Sequence, residues 1–433
     1  MIATPGLPLN TAHSIRTAVV VLSLALVFAL AIVATQEAHA QTFTIIHSFA
    51  GPEGAFPEAG FAIDGAGNLF GTTSEGGHND GNILELTYGR SGWTLDSLYV
   101  FAGGWDGNYP EGKVSIAPDG TMYGTTKMGG ASCVNNPNGC GTVYHWAPPP
   151  RIPRAPYVIH RFLGGTDGAF PESELTFDES GSIYGTTFGG GFAGTESCPG
   201  GCGTVYKLTP SGAGWEETVL HSFRGVDGRY PWGGVVFDRA GNLYGTTIGG
   251  GGYQNCPQGC GVIYELTPSG SSWAVQTLHI FTGGSDGSSP TGGLILDSSG
   301  NLYGTTSTGG PGGGGTVFEL TPTNSGWTFT TLYGIPGIGL AGEGVRGSLV
   351  MDRAGSLYGT TDADGANSRG SVFKLTPSNG SWTYTSLHDF NEPAEGWFPV
   401  PGVVLDSQGN LYGMTAIGGT TSCGCGVAFE ITP

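Results

Sequence analysis

Seven matching positions carry the residue types best suited to chemistry: Glu58, Glu111, Glu172, Trp232, Thr291, Arg346 and Val400. Six of them directly follow a proline, and Arg346 follows Val345 in the same context. Three carboxylates could supply the acid and the base or nucleophile of glycoside cleavage, which needs a pair at a defined separation. Glu58, Glu111, Glu172, Trp232 and Arg346 could equally form a binding rim. An indole stacks on a flat apolar face, while carboxylate and guanidinium fix polar groups. A second acidic set, Asp106, Asp167, Asp227 and Asp286, precedes glycine each time. Asp-Gly is foremost a turn signature; calcium is the cation that such oxygen-rich loops would take.

The eight cysteines fall in four close pairs: Cys133 with Cys140, Cys198 with Cys202, Cys256 with Cys260, and Cys423 with Cys425. Close pairs in an exported chain read as disulfides local to each loop. The alternative is zinc, against which stands the lack of a CxxC…CxxC arrangement. Cys423-Gly424-Cys425 makes the tightest ring, and its bonding is open at this level. His47, His160, His221, His279 and His388 recur at one place, where Tyr99 and Tyr333 stand in other copies, which points to packing. Gly283-Gly284-Ser285-Asp286-Gly287 mimics a hydrolase elbow, but Trp105, Thr166 and Val226 occupy the serine position elsewhere, and no strand-to-helix pattern surrounds it. The run Gly312 to Gly315 lacks the lysine and the helix of a phosphate loop.

What positions these residues is a repeat. Tyr-Gly-Thr or a near variant returns seven times, at Gly71, Gly124, Gly185, Gly245, Gly304, Gly359 and Gly413, at intervals of 53 to 61 residues. In the copy from Pro231 to Phe281, Gly234–Phe237 is a short apolar run ending at the turn Asp238-Arg239-Ala240-Gly241-Asn242. Leu243–Thr247, Val262–Thr267 and Trp273–Phe281 follow as further strands, separated by a glycine- and cysteine-rich loop and by Pro268-Ser269-Gly270. Four short strands without helical period form a propeller blade. The last copy stops after its third strand, at Phe429–Pro433, while an orphan strand, Phe43–Phe49, precedes the first. The chain is therefore expected to be all-β, a closed seven-bladed β-propeller of four-stranded blades, its N-terminal strand completing the C-terminal blade. The alternatives are a β-solenoid, which would want polar caps, or two separate propellers.

The phrase Asp238-x-x-Gly241-Asn242-Leu243-Tyr244-Gly245-Thr246-Thr247, then Gly249-Gly250, then Gly-Thr-Val-Phe-Glu-Leu-Thr-Pro as at Gly315–Pro322, resembles the GloVer tandem repeat of "choice-of-anchor" bacterial surface proteins. The likeness covers residues 42 to 433. It implies an exported protein, often with a C-terminal anchoring segment, and assigns the repeat no activity. This chain departs from that pattern at Pro433, where no anchor is expected. The blade phrasing is also similar to NHL-type propeller repeats.

The first forty residues differ in kind. Arg16, the apolar run Ala18–Ala34 and Ala38-His39-Ala40 are the three parts of a secretory signal peptide, with cleavage expected after Ala40. An uncleaved membrane anchor is the alternative. The expected organisation is thus a signal peptide over residues 1–40 and the propeller over residues 41–433. Fifteen basic residues against thirty-four acidic ones, a formal charge of -19, exclude a phosphate-tracking surface, so no nucleic-acid partner is expected. The expectation is a secreted, monomeric binding or scaffold module, extracellular, surface-bound or periplasmic, holding a glycan, peptide or partner protein at the channel rim. A carbohydrate-active hydrolase or lyase using the mouth carboxylates is the alternative.

Overall fold

The structure is a computed structural model. It describes residues 41–133, 136–147, 156–192, 198–212, 214–252, 255–337, 344–391, 393–400 and 402–433. The segment read as a signal peptide lies outside them. Residues Thr42–Thr432 form one compact unit. Among the described residues no helix is long and apolar enough to cross a membrane.

Seven antiparallel sheets of four strands make a seven-bladed propeller. In the first blade the strands run Ala62–Ile63, Leu69–Thr73, Asn82–Gly89 and Gly92–Val100, from the axis outward. The last blade is composite: Val403–Leu405, Leu411–Thr415 and Val427–Thr432 are joined by Thr42–Ser48, with Phe43 opposite Ile431. Closure by the orphan strand is thus as the repeat count demanded.

The Tyr-Gly-Thr signature has a job for each residue. Gly245 lies opposite Tyr264 on the neighbouring strand, and a Cβ there would stand 2.4 Å from the Tyr264 hydroxyl. Gly124 meets Tyr144 and Gly413 meets Phe429 in the same way, so the missing side chain makes room for a buried aromatic ring. The tyrosine staples blades together: Tyr244 packs edge-on against Trp327 of the next blade, and its hydroxyl lies 3.1 Å from Asp238 and 3.0 Å from Glu265. Tyr412 meets Trp93 likewise, across the closing seam. The first threonine reaches the following blade, as where the Thr186 hydroxyl donates to the Gly233 carbonyl at 3.1 Å. The core is accordingly shared between blades; Tyr184, Val205 and Phe223 pack with Val235, Leu243 and Tyr264.

Candidate functional site

The mouth of the central channel is built by a repeated local device. Phe56, Tyr109, Phe170, Tyr230, Ser289 and Phe398, each just before a proline, have left-handed backbone with φ from 53° to 61°. For bulky residues this costs on the order of 1–3 kcal/mol each and persists only where surroundings enforce it. Two hydrogen bonds enforce it here. The Phe170 N–H donates to the Cys140 carbonyl at 2.8 Å, and the Phe170 carbonyl accepts from the Phe188 N–H at 2.9 Å. Tyr230 is held by Cys202 and Ile248, and Tyr109 accepts from Lys127, in the same manner. Each turn therefore holds the residue after its proline, which leads into the innermost strand, close to the residue that follows the Thr-Thr of the second strand.

Glu58, Glu111, Glu172, Trp232, Thr291, Arg346 and Val400 line one cavity of about 620 Å³. Lys127 bridges two of the acids, with Nζ 2.9 Å from Glu111 and 3.4 Å from Glu172. Burial, opposed by Lys127 and reinforced by Glu111, pushes the Glu172 carboxyl up to about 7. Partial desolvation in the concave mouth, and then Glu111, raise Glu58 as well. Across the ring Arg346 Nε lies 2.7 Å from buried Asp362. Between these charged sectors Phe188 stacks on Tyr230 at 4.7 Å and meets Trp232 edge-on at 6.0 Å. Deeper in the channel Lys113 pairs with Glu174 at 3.5 Å. The mouth so offers a half-buried indole flanked by hydrogen-bonding groups of both signs, with Glu172 poised to give or take a proton near neutrality.

The model of the Gloeobacter/Verrucomicrobia repeat matches residues 27–256 and 253–433. The chain belongs to this repeat family. No curated protein matches the sequence. Among solved structures, a fungal alcohol oxidase of the AA5 family, in complex with copper, is 12% identical, with 91% of this chain and 77% of that one covered and a TM-score of 0.53. A protein from Lactobacillus plantarum is 14% identical over 84% of this chain and 99% of that one, with a TM-score of 0.49. A putative oxidoreductase (glucose dehydrogenase) from Thermus thermophilus is 15% identical over 90% and 100%, at 0.42. At 12% identity the likeness to the alcohol oxidase shows the fold alone.

The remaining predicted residues of this Gloeobacter/Verrucomicrobia repeat protein do not line the mouth cavity. All four cysteine pairs are disulfides, Cys423–Cys425 included, as suits an oxidising compartment. Asp106, Asp167, Asp227 and Asp286 sit one per inter-blade loop. Asp227 accepts from the Arg224 N–H and lies 2.9 Å from His221; Asp286 pairs with His279 at 3.1 Å, and Asp106 accepts from the Tyr99 hydroxyl at 2.8 Å. These acids fasten the outer strand to its loop. The histidines add packing, as His388 stacks on Phe43 at 3.7 Å. Ser285 is exposed on a turn, without a base or an elbow. Lys127, Phe188 and Asp362 were missed as mouth residues. Their shared position, just after Thr-Thr, reads Ser74, Lys127, Phe188, Ile248, Ser307, Asp362 and Ala416 around the ring, and that variation was the available signal.

Proposed function

We propose that this protein is an exported binding module that holds the end of a glycan in the channel mouth. The observation that carries this reading is that the divergent residue at the mouth position of all seven copies lines a single cavity. Its volume is of the size that takes a small ligand, roughly 300–1,000 Å³. Trp232 provides the stacking face, and Glu58, Glu111, Thr291 and Arg346 provide hydrogen-bond partners of both polarities. Residues 1–40 serve as the export signal, cleaved after Ala40, and the propeller acts as a monomer; a mature N-terminus other than Gln41 would contradict the cleavage. A glycan array compares the wild type with Trp232→Ala. Specific binding that the substitution abolishes supports the reading, whereas an array with no binder removes it.

A second reading is favoured by one observation, the Glu172 carboxyl pushed to about 7 beside Glu111 through a common lysine. A raised acid near a second carboxylate is the arrangement of glycoside hydrolysis. Reducing-sugar release that disappears in a Glu111→Gln, Glu172→Gln double variant would replace binding with catalysis.

A further inference from the structure

One position on the outer strands breaks the repeat. The residue opposite the third strand's Leu or Ile is Leu95, Val275, Phe329, Tyr384 and Phe43 in five blades. In the third blade, opposite Leu208, it is Glu217. Elsewhere this side chain covers the ring on the outer strand of the preceding blade: Phe329 stacks on His279 at 4.1 Å and Tyr384 on Tyr333 at 4.4 Å. Glu217 instead brings a carboxylate against His160.

His160 Nε2 lies 3.3 Å from Asp167 Oδ1 and 3.9 Å from Glu217 Oε2. One ligand atom from each of the three lies within 4.8 Å of the others, and among the described residues they are the only such trio. The side chains keep 14% to 19% of their exposure. Glu217 Oε1 and His160 Nε2 are nevertheless sealed from solvent and make no aligned hydrogen bond. The other Asp167 oxygen is fixed by the Leu163 N–H, which orients the carboxylate. Two largely buried carboxylates this close together are costly unless a cation or a proton lies between them.

We propose that His160, Asp167 and Glu217 form a divalent transition-metal site that clamps the second blade to the third. One imidazole nitrogen and two carboxylate oxygens suit Zn²⁺, with water in the fourth position. The imidazole disfavours Ca²⁺ and Mg²⁺, which take oxygen ligands. The site lies on the outer strands, apart from the mouth and independent of what the mouth holds.

The test is isothermal titration of the untagged chain at pH 7 with Zn²⁺ and, in parallel, with Ca²⁺, accompanied by thermal melts. The expected result is one Zn²⁺ per chain, at least tenfold weaker binding of Ca²⁺, and a higher melting temperature with Zn²⁺. Glu217→Val installs the residue found at Val275, so it restores the packing of the other seams and folds. It should lose both the equivalent of zinc and the zinc-dependent rise. His160→Tyr, which copies Tyr99, should lose them too. Zinc binding that is unchanged in both variants, or absent from the wild type, overturns the proposal.

Discussion

Glu172 shows how one side chain at the mouth senses pH. Its ordinary value is 4.5 and its folded value is about 7, so between these the folded state binds more protons than the unfolded one. Stability falls as pH rises through that window, by roughly 3 kcal/mol for a group this well buried. Urea unfolding of the wild type should lose that increment from about pH 4.5 to 7, and Glu172→Gln should not; parallel curves would disprove the assignment. Gly245 offers a second residue-scale test. Gly245→Ala drives a methyl into the Tyr264 ring and should cost about 1–3 kcal/mol. Tyr264→Leu, copying Leu84 of the first blade, should recover much of it, and a strictly additive double-mutant cycle would mean that the ring is not what excludes the Cβ. The mouth residues were legible because Glu58, Glu111, Glu172, Trp232 and Arg346 differ where scaffold residues agree. Glu217 was not, because it stands in a strand whose other copies vary among Leu, Val, Phe and Tyr. Only the stacking partners reveal that its position is a packing one.

Among the elements, the cysteine loops support the left-handed turns at the mouth. The carbonyls of Cys140, Cys202, Cys260 and Cys425 accept the N–H groups of Phe170, Tyr230, Ser289 and Phe56. Removing the Cys198–Cys202 bond, which closes a short loop, should cost about 2 kcal/mol and should also loosen Tyr230 and its neighbour Trp232. Reduction should follow exposure. Cys423 is exposed whereas Cys198 and Cys202 are fully buried, so timed alkylation with a mild reductant should label Cys423–Cys425 first and Cys198–Cys202 last. The reverse order would contradict the burial. The strands, their turns and three of the disulfide pairings could be read from spacing, whereas the tight Cys423–Cys425 ring was settled only by the structure. The left-handed backbone could not, since aromatic residues before proline carry no mark of it in isolation.

At the scale of the whole molecule, seven blades are held by contacts that each cross a seam, tyrosine to tryptophan and threonine to carbonyl. Such a ring is only as good as its weakest seam. Deleting residues 42–48 removes Phe43 from the cluster with Phe390 and Phe429 and exposes the edge of Val427–Thr432. The truncated chain should lose on the order of 5 kcal/mol and associate through that edge. Attaching residues 42–49 after Pro433 should restore both properties in a chain that begins at Ala50. A truncated protein as stable as the parent would show that closure contributes nothing.

The pairing of Phe43 with Ile431 also orders events in time. Ribosomes make the outer strand of the closing blade before all six other blades, and its partner after them. Until Val427–Thr432 has been made, that strand lacks its native partner. Closure of the native ring therefore waits for the synthesis of Val427–Thr432.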